Sequence, residues 1–501
     1  MTNVDLGARP QAGAAPAAHN PHHSRRWAIL AVLGLAQLMV ILDASIVNIA
    51  LPSAQTALNF STDDRQWIVT AYALAFGALL PLGGRVGDFI GRKTALIIGL
   101  IGFALASGVG GAATGFGTLV LARAGQGVFG ALLAPAVLSL LTTTFTDARE
   151  RAKAFGIYGA LAGAGGAIGL LAGGLLTEYL NWRWCMYVNI IFAAIAAAGA
   201  AVLLHNQRAD GRSHRIDVPG TLTVSAGLFA VVYGFANAET DGFGAAGTWG
   251  WLVAGVLLLA AFGVIETRVS QPLIPMRVLL DRTRGGAIVA VLLTGVGMFA
   301  IFLFLTFYLQ QNLGFSPVRS GVAFLPMVFA LATTATVSST VLLPRTGPRP
   351  LVPAGFLIGA AGLLWLAQID AASTYAADVV GPLIVTGIGF GLAMAPSMTA
   401  GTSGVEPHDA GVASALVNTA QQVGGSIGTA VLSTVAASAM TDFLAGKQVS
   451  PDVLAGASIH SYTSAFTWAA GVFIAGAVIC GLLLRSGPLD ADPDGAPAAH
   501  M

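Results

Sequence analysis

Apolar runs long enough to cross a bilayer recur along the chain, parted by short polar turns. With about 20 mostly apolar residues taken as one crossing, fourteen segments qualify: 27–51, 66–83, 95–114, 117–141, 154–176, 185–204, 219–238, 249–267, 286–312, 319–342, 350–369, 379–400, 410–437 and 463–484. The pattern predicts an all-α integral membrane protein. One feature breaks the first run: Asp43 lies in the middle of it. An ionised carboxylate at that depth costs about 2.5–3.5 kcal/mol on insertion scales, so it needs a partner, a proton or a task.

Composition supports lipid as the solvent. The chain is 55% hydrophobic and 9% charged, against about 25% charged for an ordinary soluble domain. A net charge of +1 gives no case for a nucleic-acid partner. Most of the 64 glycines fall inside the apolar runs, where small residues let membrane helices approach closely. Two cysteines far apart, Cys185 and Cys480, offer neither a disulfide framework nor a metal set. There is no phosphate-binding loop, metal triad or nucleophile elbow. The expectation is therefore no enzyme, no metal and no cofactor, with ATP not driving the protein directly.

Basic residues set the orientation. With the N-terminus inside, nineteen of the 24 Lys and Arg fall in cytoplasmic segments, four (Arg65, Arg183, Arg319 and Lys447) fall outside and Arg123 lies within a helix. A missed helix would invert every later loop, so both ends are placed in the cytoplasm. Two echoes suggest duplicated halves: Gly91–Gly99 with Gly347–Gly355, and Gly165–Gly169 with Gly424–Gly428, at nearly one offset. The division follows: 1–26 a cytoplasmic tail, 27–204 a six-helix bundle, 205–284 a linker with two additional helices, 285–484 a second six-helix bundle, and 485–501 a second tail. Parallel halves around a midplane site are a transporter architecture.

Asp43 lies about 13 Å before Pro52 along helix 1, and Arg123 lies about 9 Å into helix 4, at about 1.5 Å per residue. Both fall in the outer half, so the two can meet. The other acids, Glu178, Glu239, Asp241, Glu266, Asp370 and Asp378, map to helix ends or loops. We read Asp43 and Arg123 as a switchable pair, ionised together or parted by protonation of the acid; a permanent structural ion pair is the alternative. The loop after helix 2 runs through Gly84, Asp88, Gly91, Arg92 and Lys93. Its glycines permit tight turns, and Asp88 can pair with Arg92 or with the positive end of a helix. It is read as a conformational latch.

Asn418, Gln421, Gln422 and Gly425 share one helical face, fit either for an aqueous cavity or for hydrogen bonds between helices. Phe299, Thr306 and Gln310 form a similar stripe on helix 9. Met394 and Met398 lie one turn apart on helix 12, suited to promiscuous binding or to ordinary core. The substrate cavity is assigned to these residues together with Gln126.

The segment Gly84–Leu96 resembles the loop signature G-x-L-x-D-x-x-G-R-K-x-x-L of the major facilitator superfamily, with Val86 at the leucine position. Arg123, Gln126 and Gly127 resemble its R-x-x-Q-G signature. Gly165, Gly169, Gly173 and Gly174 resemble the antiporter signature G-x-x-x-G-P-x-x-G-G, with Leu170 where the pattern has proline. Leu42–Pro52, Asn181–Trp184, Tyr308–Gly321 and Gly411–Gly428 are similar to the fourteen-helix drug:proton antiporters of that superfamily. The resemblance implies export of hydrophobic, amphipathic or cationic compounds across a bacterial cytoplasmic membrane. It implies a proton gradient as the driving force and, by default, a monomer. Leu170 leaves open a proton-coupled importer or a metabolite exporter of the same fold. A membrane sensor that transports nothing is the remaining alternative.

Overall fold

The computed structural model of the chain describes residues 25–61, 64–145, 147–205, 217–269, 272–405, 410–448 and 450–487. Regular structure among them is helical throughout. The first bundle contains α1 (Arg26–Leu58), α2 (Arg65–Ile90), α3 (Arg92–Gly111), α4 (Phe116–Thr144), α5 (Ala148–Tyr179) and α6 (Trp184–Leu203). The insert contains α7 (Val218–Asp241) and α8 (Ala246–Glu266). The second bundle contains α9 (Arg282–Asn312), α10 (Pro317–Thr346), α11 (Pro348–Leu366), α12 (Tyr375–Thr402), α13 (Ala410–Leu444) and α14 (Pro451–Leu483). Thirteen of these are long and apolar enough on their described residues to cross a membrane; α5, at 32 residues, matches them in length.

Local chemistry marks the helix starts. Asp147, Asp217, Asp281, Ser316 and Ser450 each accept a backbone N–H from the first turn of the following helix, the N-cap arrangement that satisfies otherwise orphaned donors. Pro317, Pro348 and Pro451 sit in first turns, where the missing N–H costs nothing.

Several boundaries differ from the sequence expectation, and three show why. Helix α1 runs through Pro52 to Leu58 and ends at Asn59 with φ 52°; a spanning helix tolerates proline where neighbours satisfy the freed groups. Asp43 is consequently near the middle of α1 and not in its outer half. Helix α2 continues to Ile90, so Gly84–Ile90 is helical and the turn shrinks to Gly91, with φ 93°. Helix α14 starts at Pro451, twelve residues before the apolar run, because Ser450 caps it there.

The two bundles repeat one packing plan. Helix α1 packs on α5, α2 on α4 and α3 on α6; eight helices later, α9 packs on α13, α10 on α12 and α11 on α14. The echoed Gly91 and Gly347 occupy equivalent turns and share positive φ, 93° and 73°, which a side chain would strain. Between the bundles, α2 meets α13 and α5 meets α10. The insert helices pack on one another, and α7 also lies against α2 and α13.

With α1 to α14 each read as one crossing, an even number, both ends of the helical region fall at one face. At the opposite, distal face the two bundles close on each other. A Cβ on Gly174 of α5 would lie 2.7 Å from Val318 Cα of α10, and one on Gly321 would lie 2.5 Å from Leu170 O. Gln310 Nε2 donates to Ile49 O at 3.0 Å, and Val318 N donates to Glu178 Oε2 at 2.9 Å.

Candidate functional site

Asp43 sits on α1 between Leu42 and Ser45, which face the glycines of α5. Cβ atoms on Gly165, Gly169 and Gly173 would collide with Ile41, with Ser45 and Leu42, and with Ile46, respectively. The glycine face therefore brings α5 against the turns that flank Asp43, while the acid itself points away into the first bundle.

There it enters a closed polar network. Asp43 is 0% and Arg123 1% exposed. Arg123 Nη1 donates to Asp43 Oδ2 at 2.6 Å. Asp43 Oδ1 accepts from Gln126 Nε2 at 2.8 Å and from Asn189 Nδ2 at 2.7 Å. Arg123 also donates from Nη1 to Gln126 Oε1 at 2.7 Å and from Nε to Ile68 O at 3.1 Å. Gln126 Nε2 reaches Ser107 Oγ at 2.7 Å, and the Tyr72 ring lies 4.4 Å from the Arg123 guanidinium. One carboxylate is thus held by donors from α4 and α6, with α2 and α3 closing the ring. Burial out of water makes each of these bonds strong and each missing partner expensive.

Two polar groups in this network have no hydrogen-bond partner among the described residues: Tyr72 Oη and Asn189 Oδ1. They sit beside the pair, where a hydrogen-bonding molecule would find open partners.

The remaining residues separate into groups. Gln126 belongs to the Asp43 network, with both its amide atoms engaged there. Thr306 is buried and donates to Phe302 O of its own helix. Gln310 bridges the two bundles through Ile49 O. Phe299 lies against Gly425, which joins one stripe of α9 to the polar stripe of α13. On α13, Asn418 donates to Ser414 O, and Gln422 faces Gly77 of α2. Asn418, Gln421, Gln422, Met394 and Met398 are half-buried. Met398 packs beside Val291, Val417 and Ala420.

In the segment read as a latch, Gly84 lies against Pro135 of α4. Gly91 makes the turn. Lys93 Nζ donates to Ala201 O and Leu204 O at 2.8 and 2.6 Å, satisfying carbonyls at the end of α6 where a positive charge is favourable. Arg92 is half-buried at the start of α3. The Asp88 side chain lies outside the described ones.

Sequence reasoning missed Asn189 and Ser107, the partners that α6 and α3 bring to the network. Their signal was a lone amide or hydroxyl inside an apolar run. It also placed Arg65 in an outer loop. The structure buries Arg65 at the distal face, with its guanidinium 4.0 Å from the Phe307 ring centroid and 5.9 Å from that of Tyr462.

The family model described as Major Facilitator Superfamily matches residues 33–429. The puromycin resistance protein pur8 of Streptomyces alboniger is 48% identical, over 98% of this chain and 97% of its own length. The cephamycin export protein CmcT of Amycolatopsis lactamdurans is 38% identical, over 80% and 83%. The tetracenomycin C resistance and export protein of Streptomyces glaucescens is 34% identical, over 86% and 80%. Among solved structures, the fold resembles that of a bacterial homologue of the human lysosomal transporter Spinster. The TM-score is 0.63 at 17% identity, covering 93% of this chain and 97% of that one. The nucleoside transporter NupG also scores 0.63, at 13% identity, over 91% and 100%.

Proposed function

Because this chain belongs to the Major Facilitator Superfamily, we propose that it exports antibiotic-class small molecules across the cell membrane in exchange for protons. The export reading is supported by relatives named for resistance to, or export of, puromycin, cephamycin and tetracenomycin C. In this reading the terminal face is cytoplasmic, one chain is the working unit, and substrate passes between the two bundles. The half-buried residues of α12 and α13, Met394, Met398, Asn418, Gln421 and Gln422, supply polar and deformable contacts to it.

The observation that carries the proton exchange is the sealed Asp43–Arg123 pair with its three-donor carboxylate. Protonating Asp43 removes the charge that holds Arg123, Gln126 and Asn189 on one point. Helices α1, α4 and α6 are then free to shift against one another. Each proton entering down a 100 mV potential supplies about 2.3 kcal/mol, enough to drive substrate uphill by more than an order of magnitude if one is exchanged per cycle.

The test is drug accumulation in a pump-deficient bacterial host. Cells expressing the protein should hold less drug than control cells, and a protonophore should abolish the difference. Asp43→Asn should abolish it too, while energy-independent exchange of substrate across proteoliposomes persists. Uphill export by the Asp43→Asn protein would overturn the coupling role.

A further inference from the structure

The two-helix insert carries another buried acidic site, at the terminal face and away from Asp43. Asp217 caps α7, its Oδ1 accepting from Gly220 N at 2.9 Å. Glu266 ends α8, its Oε2 accepting from Ile274 N at 3.0 Å. The two residues are 3% and 4% exposed. Their remaining oxygens converge: a Cβ placed on Gly220 would lie 2.0 Å from Asp217 Oδ2 and 2.8 Å from Glu266 Oε1. Neither oxygen meets an N–H or hydroxyl donor among the described residues.

Among the described residues outside the insert, Arg85 of α2 is the one whose charge acts on Glu266. Its Nη2 reaches Pro272 O at 3.4 Å, and its buried Nε has no partner among the described residues. On α13, the residues packed on the adjoining apolar cluster, Val412 and Leu416, bring no charge. Two buried carboxylates whose free oxygens face one another repel unless a proton lies between them, and such a pair shares one. Gly220 is the residue that leaves room for this contact, since any side chain there would part the two acids.

We propose that Asp217 and Glu266 form a second proton-binding site, which holds one shared proton and presents a single negative charge to Arg85. The site joins three parts of the chain: the start of α7, the end of α8, and the end of α2 that carries Gly84 and leads into Gly91. Arg85 governs how readily the shared proton leaves, because its charge favours the doubly ionised pair. This inference does not depend on the role proposed for Asp43.

Infrared difference spectroscopy of the purified protein in lipid vesicles, stepped between acid and alkaline pH, tests it. A protonated-carboxyl C=O band that survives at neutral pH and shifts in D2O is expected. Asp217→Asn and Glu266→Gln should each remove it, and Asp43→Asn should leave it in place. The new amide can donate to the remaining carboxylate in place of the proton, so both variants are expected to keep the helical circular-dichroism spectrum and elution volume of the parent. Arg85→Gln, which leaves both acids intact, should carry the band to higher pH. No such band in the parent protein at neutral pH would overturn the proposal. So would a band unchanged by Asp217→Asn and Glu266→Gln, or one that Arg85→Gln does not move.

Discussion

Arg123 Nη1 stands 2.6 Å from Asp43 Oδ2, and this contact ties the middle of α1 to the early turns of α4 with both side chains sealed from solvent. Removing one member of such a pair strands the other, at a cost of about 3–5 kcal/mol, whereas removing both strands neither. Asp43→Asn and Arg123→Gln should each lower the thermal midpoint of the purified protein. The double substitution should lower it by clearly less than the two losses added. Strictly additive losses would show that the contact carries no coupling energy.

Gln126 and Asn189 both donate to Asp43 Oδ1, but they are not equivalent. Gln126 also accepts from Arg123 and reaches Ser107, whereas Asn189 makes the one bond to Asp43 and leaves its own Oδ1 without a partner. A buried polar group left unpaired costs about 1–3 kcal/mol. Gln126→Leu should therefore destabilise the protein at least twice as much as Asn189→Leu in thermal unfolding. Equal losses would mean that the bonds of Gln126 to Arg123 and Ser107 contribute nothing.

Sequence reading captures the parts of this molecule that lipid dictates. A bilayer demands long apolar helices, so the fourteen segments and the duplicated plan are visible without coordinates. A charge inside such a helix stands out against it, and Asp43 and Arg123 are found that way. Asn189 and Ser107 carry the same signal more faintly, because single amides and hydroxyls are common glue between membrane helices. Arg65, Asp217 and Glu266 carry none. Each lies at a helix end, where a charge normally meets water, and each is buried by contacts the local sequence does not announce: α9 and α14 over Arg65, the Ile274 N–H on Glu266, and Asp217 and Glu266 converging over Gly220. The extension of α2 to Ile90 is likewise hidden, since glycines and charges read as a turn until neighbouring helices hold them in a helix.

The distal seal depends on backbone contact between α5 and α10. Ala at Gly174 would drive its Cβ into Val318 Cα and Pro317 O, and Ala at Gly321 would meet Leu170 O; backbone cannot rotate away as a side chain can. Either substitution should hold the bundles apart at this face. Alkylation of Gln310→Cys by an impermeant thiol reagent should accelerate severalfold in the Gly174→Ala and Gly321→Ala backgrounds. Gly166→Ala, whose Cβ meets nothing within 4 Å, should leave the rate unchanged. The native Cys185 and Cys480 are buried and keep the background low. Equal rates in all three backgrounds would place the seal elsewhere.

Arg65 bolts the same face by a different force. It extends from the first turn of α2 in one bundle, and its guanidinium lies over Phe307 of α9 in the other, 4.0 Å from the ring centroid. A cation held on an aromatic face contributes about 0.5–1 kcal/mol when exposed and about 2 kcal/mol when desolvated, and Arg65 is buried. Because the ring and the cation belong to different bundles, that energy is available only while the distal face is shut. Arg65→Met should accordingly shift the population toward the open face by roughly twofold to thirtyfold, the range those energies convert to. The same thiol assay at Gln310→Cys reads this shift. Phe307→Leu should produce a change of the same sign, and combining the two should add little, since each removes the same contact. If Phe307→Leu left the labelling rate untouched while Arg65→Met raised it, the arginine would be acting through a partner other than the ring.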